Sequence, residues 1–277
     1  MLKFRQYSND DLDQHLRNLE IFGYTVVKNY IDKKNVANLK AKTEDYFKIY
    51  KKKIINDDVK NLSEDRCIHN LQNLDVNYIE LLSSPFIEKI LKKKLNDKYH
   101  GALPSDYPNY NLSNYTARSA INGLELHIDS FIPSSGGLTW SLQVAFMVDN
   151  QTIDNGCSIV VPGSHKSDKY SDRKFENIKP IESEAGDVVI WDSRIWHGNL
   201  RNNSGASRWA LFATVVCWWV RPNFDVSRGL PNKIYKKLND RQKILLGFCN
   251  ISPSTEFERF HTKKGTNFLK SNVKDFF

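Results

Sequence analysis

Leu138-Thr139-Trp140-Ser141-Leu142-Gln143-Val144-Ala145-Phe146-Met147-Val148-Asp149 is the stretch on which the fold class turns. Successive side chains of an extended chain point to opposite faces. Trp140, Leu142, Val144, Phe146 and Val148 therefore share one face, and Thr139, Ser141, Gln143, Ala145 and Met147 share the other. The first face is large and apolar, which predicts packing into a core. The second is smaller and more polar, which predicts the wall of a cavity.

Outward from this strand the pattern repeats in shorter pieces. Asn155-Gly156 is a turn signal before a strand over 157–161, which Pro162-Gly163 ends. Gly186-Asp187 opens a strand over 188–192, and 208–220 reads as the longest strand of the chain. Strand character begins at about Tyr115. Short strands separated by turns at this spacing predict a sandwich or barrel of jelly-roll type.

The flanks read differently. Residues 21–30 alternate as a strand entered through Gly23, and Asp32 is placed to cap a helix carrying Val36, Leu39, Ala41 and Phe47. A second amphipathic helix is predicted over 85–99, with Ile87, Ile90, Leu91 and Leu95 apolar. Beyond Pro222 helical spacing returns through Ile234, Leu238 and the Ile244 to Leu246 run, before a polar tail past Ser252. The expected organisation is one domain over 1–277: a helical part over about 1–100, a β core over about 101–222 and a helical part over about 223–277.

Composition narrows the function classes. Forty per cent hydrophobic residues, including fifteen phenylalanines, supply a core and argue against disorder. The net charge is +8. It suits an anionic substrate, but the lysine runs at 51–53 and 92–94 fall in amphipathic helices, where solvated faces account for them. No nucleic-acid motif accompanies the charge. Cys67, Cys157, Cys217 and Cys249 are widely spaced and read as reduced core residues. The N-terminus lacks a signal-peptide stretch, and the longest apolar run, 209–220, is shorter than the ~20 residues a bilayer span needs. A cytoplasmic protein with no membrane and no nucleic-acid partner is the expectation.

The chemistry lies in four residues. His127-Ile128-Asp129 offers two ligands from one extended segment, and a histidine from a neighbouring strand completes a facial set that leaves open positions on iron(II). His-x-Asp alone is a weak signal. Its context strengthens it: a strand-like run precedes it over 121–126, and the Gly136-Gly137 turn follows. His197 comes after the 188–192 strand with Trp191 and Trp196 around it as shields, and Arg208 is expected to return beside it through a hairpin over 202–205. A guanidinium keeps its charge and meets a carboxylate with two parallel hydrogen bonds, so Arg208 suits the distal carboxylate of 2-oxoglutarate. His165 competes for the third ligand position, but no arginine follows it at the start of a buried strand.

These segments resemble the phytanoyl-CoA dioxygenase family of iron(II)/2-oxoglutarate oxygenases. The matching pieces are His127-Ile128-Asp129, the run from Asp154-Asn155-Gly156 to Pro162-Gly163-Ser164-His165-Lys166, and Gly186-Asp187-Val188-Val189-Ile190-Trp191-Asp192 leading to His197 and then Arg208. The order and spacing agree over about 121–222, and Leu245-Leu246-Gly247 also looks like the family's. The resemblance implies a mainly β fold with helical flanks, a double-stranded β-helix (jelly roll, cupin-like). It implies iron(II) held by His127, Asp129 and His197 and 2-oxoglutarate held by Arg208, with His165 in a structural turn. Gln143 matches a glutamine common in the family, and Asn199 stands where many members carry Ser or Thr for the co-substrate. Both are candidate co-substrate residues. Asp129 argues against halogenation, because halogenating relatives replace that carboxylate.

The implied activity is hydroxylation of an unactivated C–H of a small-molecule substrate, using O2 and releasing succinate and CO2. Desaturation, cyclisation and epimerisation are same-fold alternatives. A non-enzymatic jelly-roll metabolite-binding protein is the rival of another class, and a cupin-type metalloenzyme without 2-oxoglutarate is a third reading. Substrate residues are expected from Arg118 and the loops at 131–137 and 167–175.

Overall fold

Ser8 opens the first helix in the computed structural model, which describes residues 2–56, 66–100, 103–251 and 255. Its hydroxyl accepts from the Asp11 N–H at 3.1 Å, and the Asp11 carboxylate accepts from the Ser8 N–H at 2.8 Å. This reciprocal cap satisfies two otherwise orphaned donors. Helix α1 (Asn9–Phe22) ends at Gly23, whose φ of +81° is readily adopted only without a side chain. Ile21 and Phe22, assigned to a strand from sequence, are therefore the last turn of a helix. Only β1 (Tyr24–Val27) is extended.

The chain continues through α2 (Lys33–Asn56), where Asp32 caps as expected by accepting from the Asn35 N–H at 2.9 Å. Then come β2 (Cys67–His69), α3 (Val76–Leu82) and α4 (Pro85–Leu95). Eight strands follow: β3 (Tyr110–Arg118), β4 (Leu124–His127), β5 (Ser141–Met147), β6 (Ser158–Val160), β7 (Lys179–Ile181), β8 (Val188–Asp192), β9 (His197–Asn199) and β10 (Ala210–Cys217). Short helices α5 (Val226–Gly229), α6 (Asn232–Tyr235) and α7 (Asp240–Leu245) complete the described chain. The polar tail expected beyond Ser252 lies, Thr255 apart, outside the described residues.

From β3 onward the chain passes back and forth between two antiparallel sheets, with β6 and β7 consecutive in one of them. The larger has the order β1-β8-β5-β10-β3-β2 and the smaller β4-β9-β6-β7. The eight strands β3 to β10 thus form a double-stranded β-helix with helical flanks, and β1 and β2 extend the larger sheet at its two edges.

Three expectations need correction. The β region starts at Tyr110, not Tyr115. The longest strand among the described residues is β3 with 9 residues; β10 has 8, and Arg208 precedes it while Trp218 and Trp219 lie beyond its end. The first hundred residues do more than decorate the core. They supply β1, paired with β8, and β2, paired with β3.

The faces of β5 divide as its alternation predicts. Leu142, Val144, Phe146 and Val148 join Leu39, Ile79, Ile87 and Leu91 of the helices in the main core. Ala145 and Met147 look inward and pack with Val160, Ile181, Val189 and Ala210 from both sheets, while Gln143 borders a cavity. The larger sheet is therefore covered by helices on one side and by the smaller sheet on the other.

Asp187 fastens this arrangement. It is fully buried, and it accepts from the Asn29 N–H at 2.7 Å, the Glu184 N–H at 2.9 Å and the Lys28 ammonium at 2.8 Å. All four cysteines are buried, and none is in a disulfide. Among the described residues no helix is long and apolar enough to cross a membrane. Phe146 is wholly enclosed between sheet and helices. Phe146→Ala is expected to cost about 3–5 kcal/mol, read as a lower midpoint in chemical denaturation. A change under about 1 kcal/mol would contradict the packing described.

Candidate metal centre

Strands β4 and β9 pair antiparallel, and the register sets His127 directly opposite His197. Their rings lie 4.3 Å apart between centroids. Asp129 is not carried by strand phase, because β4 ends at His127. The turn after the strand delivers it, and the Ser130 N–H anchors that turn on the Ser193 carbonyl at 2.9 Å. The Asp129 oxygens lie 3.5 Å from His127 Nε2 and 3.3 Å from His197 Nε2. One donor atom from each of the three residues falls within 4.8 Å of the others.

Both imidazoles are oriented in the same way. His127 Nδ1 donates to the Glu125 carbonyl at 2.9 Å, and His197 Nδ1 donates to the Ile195 carbonyl at 3.1 Å. Each ring thus bonds the carbonyl two residues before it, which fixes the tautomer and turns Nε2 to the shared point. Burial pushes the Asp129 carboxyl up, but the two imidazoles outweigh it and hold it far below the usual carboxylate range. Burial lowers the His197 pKa, and the Asp129 charge more than reverses this, leaving it raised.

The surroundings hold the trio in place. Trp191 packs on the His197 ring at 5.2 Å. Trp196, expected to share that role, instead packs beside Phe175 with Leu126, Ile128 and Val161, since neighbours along a strand face opposite ways. Asp192 and Arg194 form a buried pair with Nε–Oδ1 of 2.9 Å and Nη2–Oδ2 of 2.8 Å. Arg194 also donates to the carbonyls of Ser134 at 3.3 Å and Gly136 at 2.5 Å, which secures the loop leading from Asp129 to β5. The sequence reading overlooked Arg194; an Asp-x-Arg step at a strand end was the available signal. A Cβ on Gly198 would meet the Leu124 carbonyl at 2.4 Å, so this residue must be small for β4 and β9 to approach.

The three donors border a cavity of about 310 Å³ that Arg208, Gln143 and Asn199 also line. Arg208 is buried. Its N–H donates to Ser119 Oγ at 2.9 Å, its Nε to the Ala120 carbonyl at 3.1 Å and its Nη1 to Gln151 Oε1 at 3.2 Å. It does not arrive by a hairpin with β9. The chain crosses from the smaller sheet to the larger between β9 and β10, so His197 lines the cavity from β9 and Arg208 from the approach to β10. Gln143 Oε1 accepts from Thr214 Oγ1 at 3.1 Å. The Asn199 amide donates to the carbonyls of Asn122 at 3.2 Å and Leu200 at 2.8 Å.

His165 lies elsewhere. Its ring fills the space beside Gly23, where a Cβ would come within 2.5 Å, and its Nε2 is 3.3 Å from the Glu20 carbonyl. Arg118 lines the cavity from β3, with His69, Asn114 and Thr116, none of which the sequence marked. The 167–175 loop does not reach this cavity. Ser167, Lys169, Tyr170 and Phe175 border a separate surface groove of about 540 Å³, and Phe131 is largely exposed.

A family model described as phytanoyl-CoA dioxygenase (PhyH) matches residues 19–210. Dioxygenase af480 of Aspergillus fumigatus is 29% identical over 213 residues, 73% of this chain and 66% of that protein. The solved structure of HygX from Streptomyces hygroscopicus, with nickel and 2-oxoglutarate bound, is similar at a TM-score of 0.57. Its identity is 12%, over 76% of this chain and 88% of that one. SnoN, a non-heme alpha ketoglutarate dependent epimerase from nogalamycin biosynthesis, also gives a TM-score of 0.57, at 17% identity over 78% of this chain and 87% of its own. At these identities the two structures speak for the fold. The family match spans most of the chain, which thus belongs to the phytanoyl-CoA dioxygenase family.

Proposed function

We propose that the chain is an iron(II)/2-oxoglutarate-dependent dioxygenase that hydroxylates an unactivated C–H of a small molecule. The observation that carries the reading is the convergence of His127 Nε2, Asp129 and His197 Nε2 on one point, with both Nδ1 atoms tied to backbone carbonyls. Two imidazoles and one carboxylate on one side of an ion suit iron(II) with positions left for other ligands. Bound there together, iron(II), 2-oxoglutarate and O2 supply the oxidation itself, with succinate and CO2 as co-products.

The remaining roles belong to the protein. Arg208, positioned by Ala120, Ser119 and Gln151, offers a charged fork for the distal carboxylate of 2-oxoglutarate. Gln143, its oxygen occupied by Thr214, lines the cavity, and its amide hydrogens suit an acceptor on the co-substrate. Asn199 spends its amide hydrogens on Asn122 and Leu200 and contributes its oxygen side and shape. Trp191 covers the His197 ring and keeps water from that flank. The intact donor set and buried arginine favour this reading over a binding protein that has no use for a metal. SnoN carries an epimerase on this fold, so product analysis is what separates hydroxylation from another oxidative outcome.

Anaerobic addition of 2-oxoglutarate to the iron(II)-loaded protein is expected to give a new visible absorption band, absent from His127→Ala and Asp129→Ala. A variant keeping both the band and succinate release would defeat the assignment. Arg208→Ala is expected to weaken 2-oxoglutarate binding about ten- to a hundredfold, the worth of a charged hydrogen bond; an unchanged constant would place the anchor elsewhere.

Metal affinity should also depend on pH. The His197 pKa lies above its ordinary 6.5, so at lower pH a proton paired with Asp129 occupies the site that iron needs. Apparent iron(II) affinity is expected to rise as pH increases through that raised value and to level off above it. Equal affinities at pH 6 and pH 8 would refute the competition.

A further inference from the structure

The wall of the cavity across from the metal donors carries a polar relay that the oxidation chemistry leaves unused. His69 ends β2 and stands opposite Thr116 of β3 in the sheet register. The Thr116 hydroxyl donates to Asn114 Oδ1 at 3.1 Å, so its one proton is committed. His69 Nδ1 lies 3.0 Å from the same hydroxyl oxygen and must therefore be the donor of that bond. Burial holds the His69 pKa below its ordinary value, which keeps the ring neutral near pH 7. A neutral ring with its proton on Nδ1 has only a lone pair at Nε2. Among the described residues no protein group bonds that atom, nor is it buried without a partner, on a residue that borders the cavity.

An exposed acceptor in a ligand cavity selects for a donor. 2-Oxoglutarate at neutral pH carries two carboxylates and a ketone, all acceptors, so it has nothing to give His69. On the proposed function its acceptors are served by Arg208 and by the Gln143 amide, which line the same cavity. Of the two organic ligands, the molecule that is oxidised is the one that can carry a donor to displace water from that lone pair. Phe224 packs against His69 in a tilted arrangement, with ring centroids 6.1 Å apart, and limits how the ring can turn.

We propose that His69 is the specificity-determining residue of this site, accepting at Nε2 a hydrogen bond from a hydroxyl, amine or amide N–H of a small polar substrate. The proposal rests on the oxygenase reading for what happens next, but the acceptor and its orientation stand apart from the metal. A cavity of about 310 Å³ is at the small end of ligand sites. Shared with 2-oxoglutarate, it leaves room for a compact polar head and excludes a bulky one.

Three measurements on the full chain test it. Nitrogen NMR of histidine-labelled protein, loaded with zinc(II) and 2-oxoglutarate, is expected to show the His69 ring neutral and protonated at Nδ1. Protonation at Nε2 overturns the proposal. Anaerobic titration of the iron(II)-loaded protein is expected to give 2-oxoglutarate constants within about twofold for unaltered protein, His69→Phe and His69→Gln. Tenfold weaker binding in His69→Phe alone would assign the ring to the co-substrate and overturn it.

A succinate-release screen of amino acids, hydroxy acids and amino alcohols beside their fully O- or N-methylated counterparts forms the third arm. Only donor-bearing members are expected to be turned over, with KM for the best of them raised at least about tenfold in His69→Phe and largely restored in His69→Gln, whose oxygen can accept. Equal turnover of a methylated counterpart overturns the proposal, and if no member is turned over the two binding measurements decide it. Absence of the absorption band in unaltered protein would count against the oxygenase reading, while the tautomer at His69 would still be read.

Discussion

The pairing of β4 with β9 is the constraint on which the site depends. It sets His127 across from His197, and it does so at a point where the backbones nearly touch, since Gly198 leaves no room for a Cβ beside the Leu124 carbonyl. A strand register is discrete. Slipping it by one residue would turn each histidine to the other face. Two donors are thus fixed by backbone hydrogen bonding alone, and the third needs only a short turn held at Ser130 and at the loop that Arg194 secures. The Nδ1 bonds to carbonyls two residues back follow from the same geometry. The ligand set is built from main chain, with side chains oriented by it.

That pairing also opens the interior on one side. Strands β5, β8, β6 and β7 face each other with Ala145, Met147, Val160, Ile181 and Val189, which pack tightly and exclude water. Strands β10, β3, β4 and β9 face each other with Asn114, Thr116, Arg118, Thr214 and Asn199, and these leave a cavity. Trp191 and Phe212, 6.2 Å apart, form the seam between the halves. Buried polar groups are tolerated only when they are partnered. The polar half meets this by pairing within itself, Thr214 with Gln143 and Thr116 with Asn114 and His69. Each internal bond uses one end of a side chain and leaves the other end chemically defined toward the cavity.

Much of this was legible in the sequence, for reasons that can be named. The 138–149 alternation worked because the two faces of β5 meet different environments, a helical layer and an inner cavity, and their composition differs accordingly. His-x-Asp, the later histidine and the arginine were legible because ligand chemistry narrows the residue types that can serve. Features set by long-range pairing were not. β2 has three residues, too few to show a period, and only its bonds to β3 make it a strand. The crossing from β9 to β10 looks locally like a hairpin, since turn residues are the same whether a chain returns to its own sheet or to the facing one. Ile21 and Phe22 continue into β1, and the helix they end is marked by Ser8 and Asp11 far upstream and by Gly23, which serves equally as the entry to a strand.

The division of labour between the sheets has a consequence for how such a site can change. The proposed metal donors come from the smaller sheet and its turn, whereas Arg208 and the polar relay come from the larger sheet or its approach. His69 arrives on β2, an edge strand added outside the eight strands of the double-stranded β-helix, with a single strand neighbour. Replacing a residue on that edge disturbs one ladder and one hydroxyl, and it leaves the β4–β9 register untouched. On the proposed roles, the residue that reads a substrate can therefore vary where the fold is most permissive, while the metal donors flank Gly198, where a single Cβ is excluded. Chemistry and specificity are, on that proposed assignment, separated by how tightly each strand is constrained, even though both sets of residues line the same small cavity.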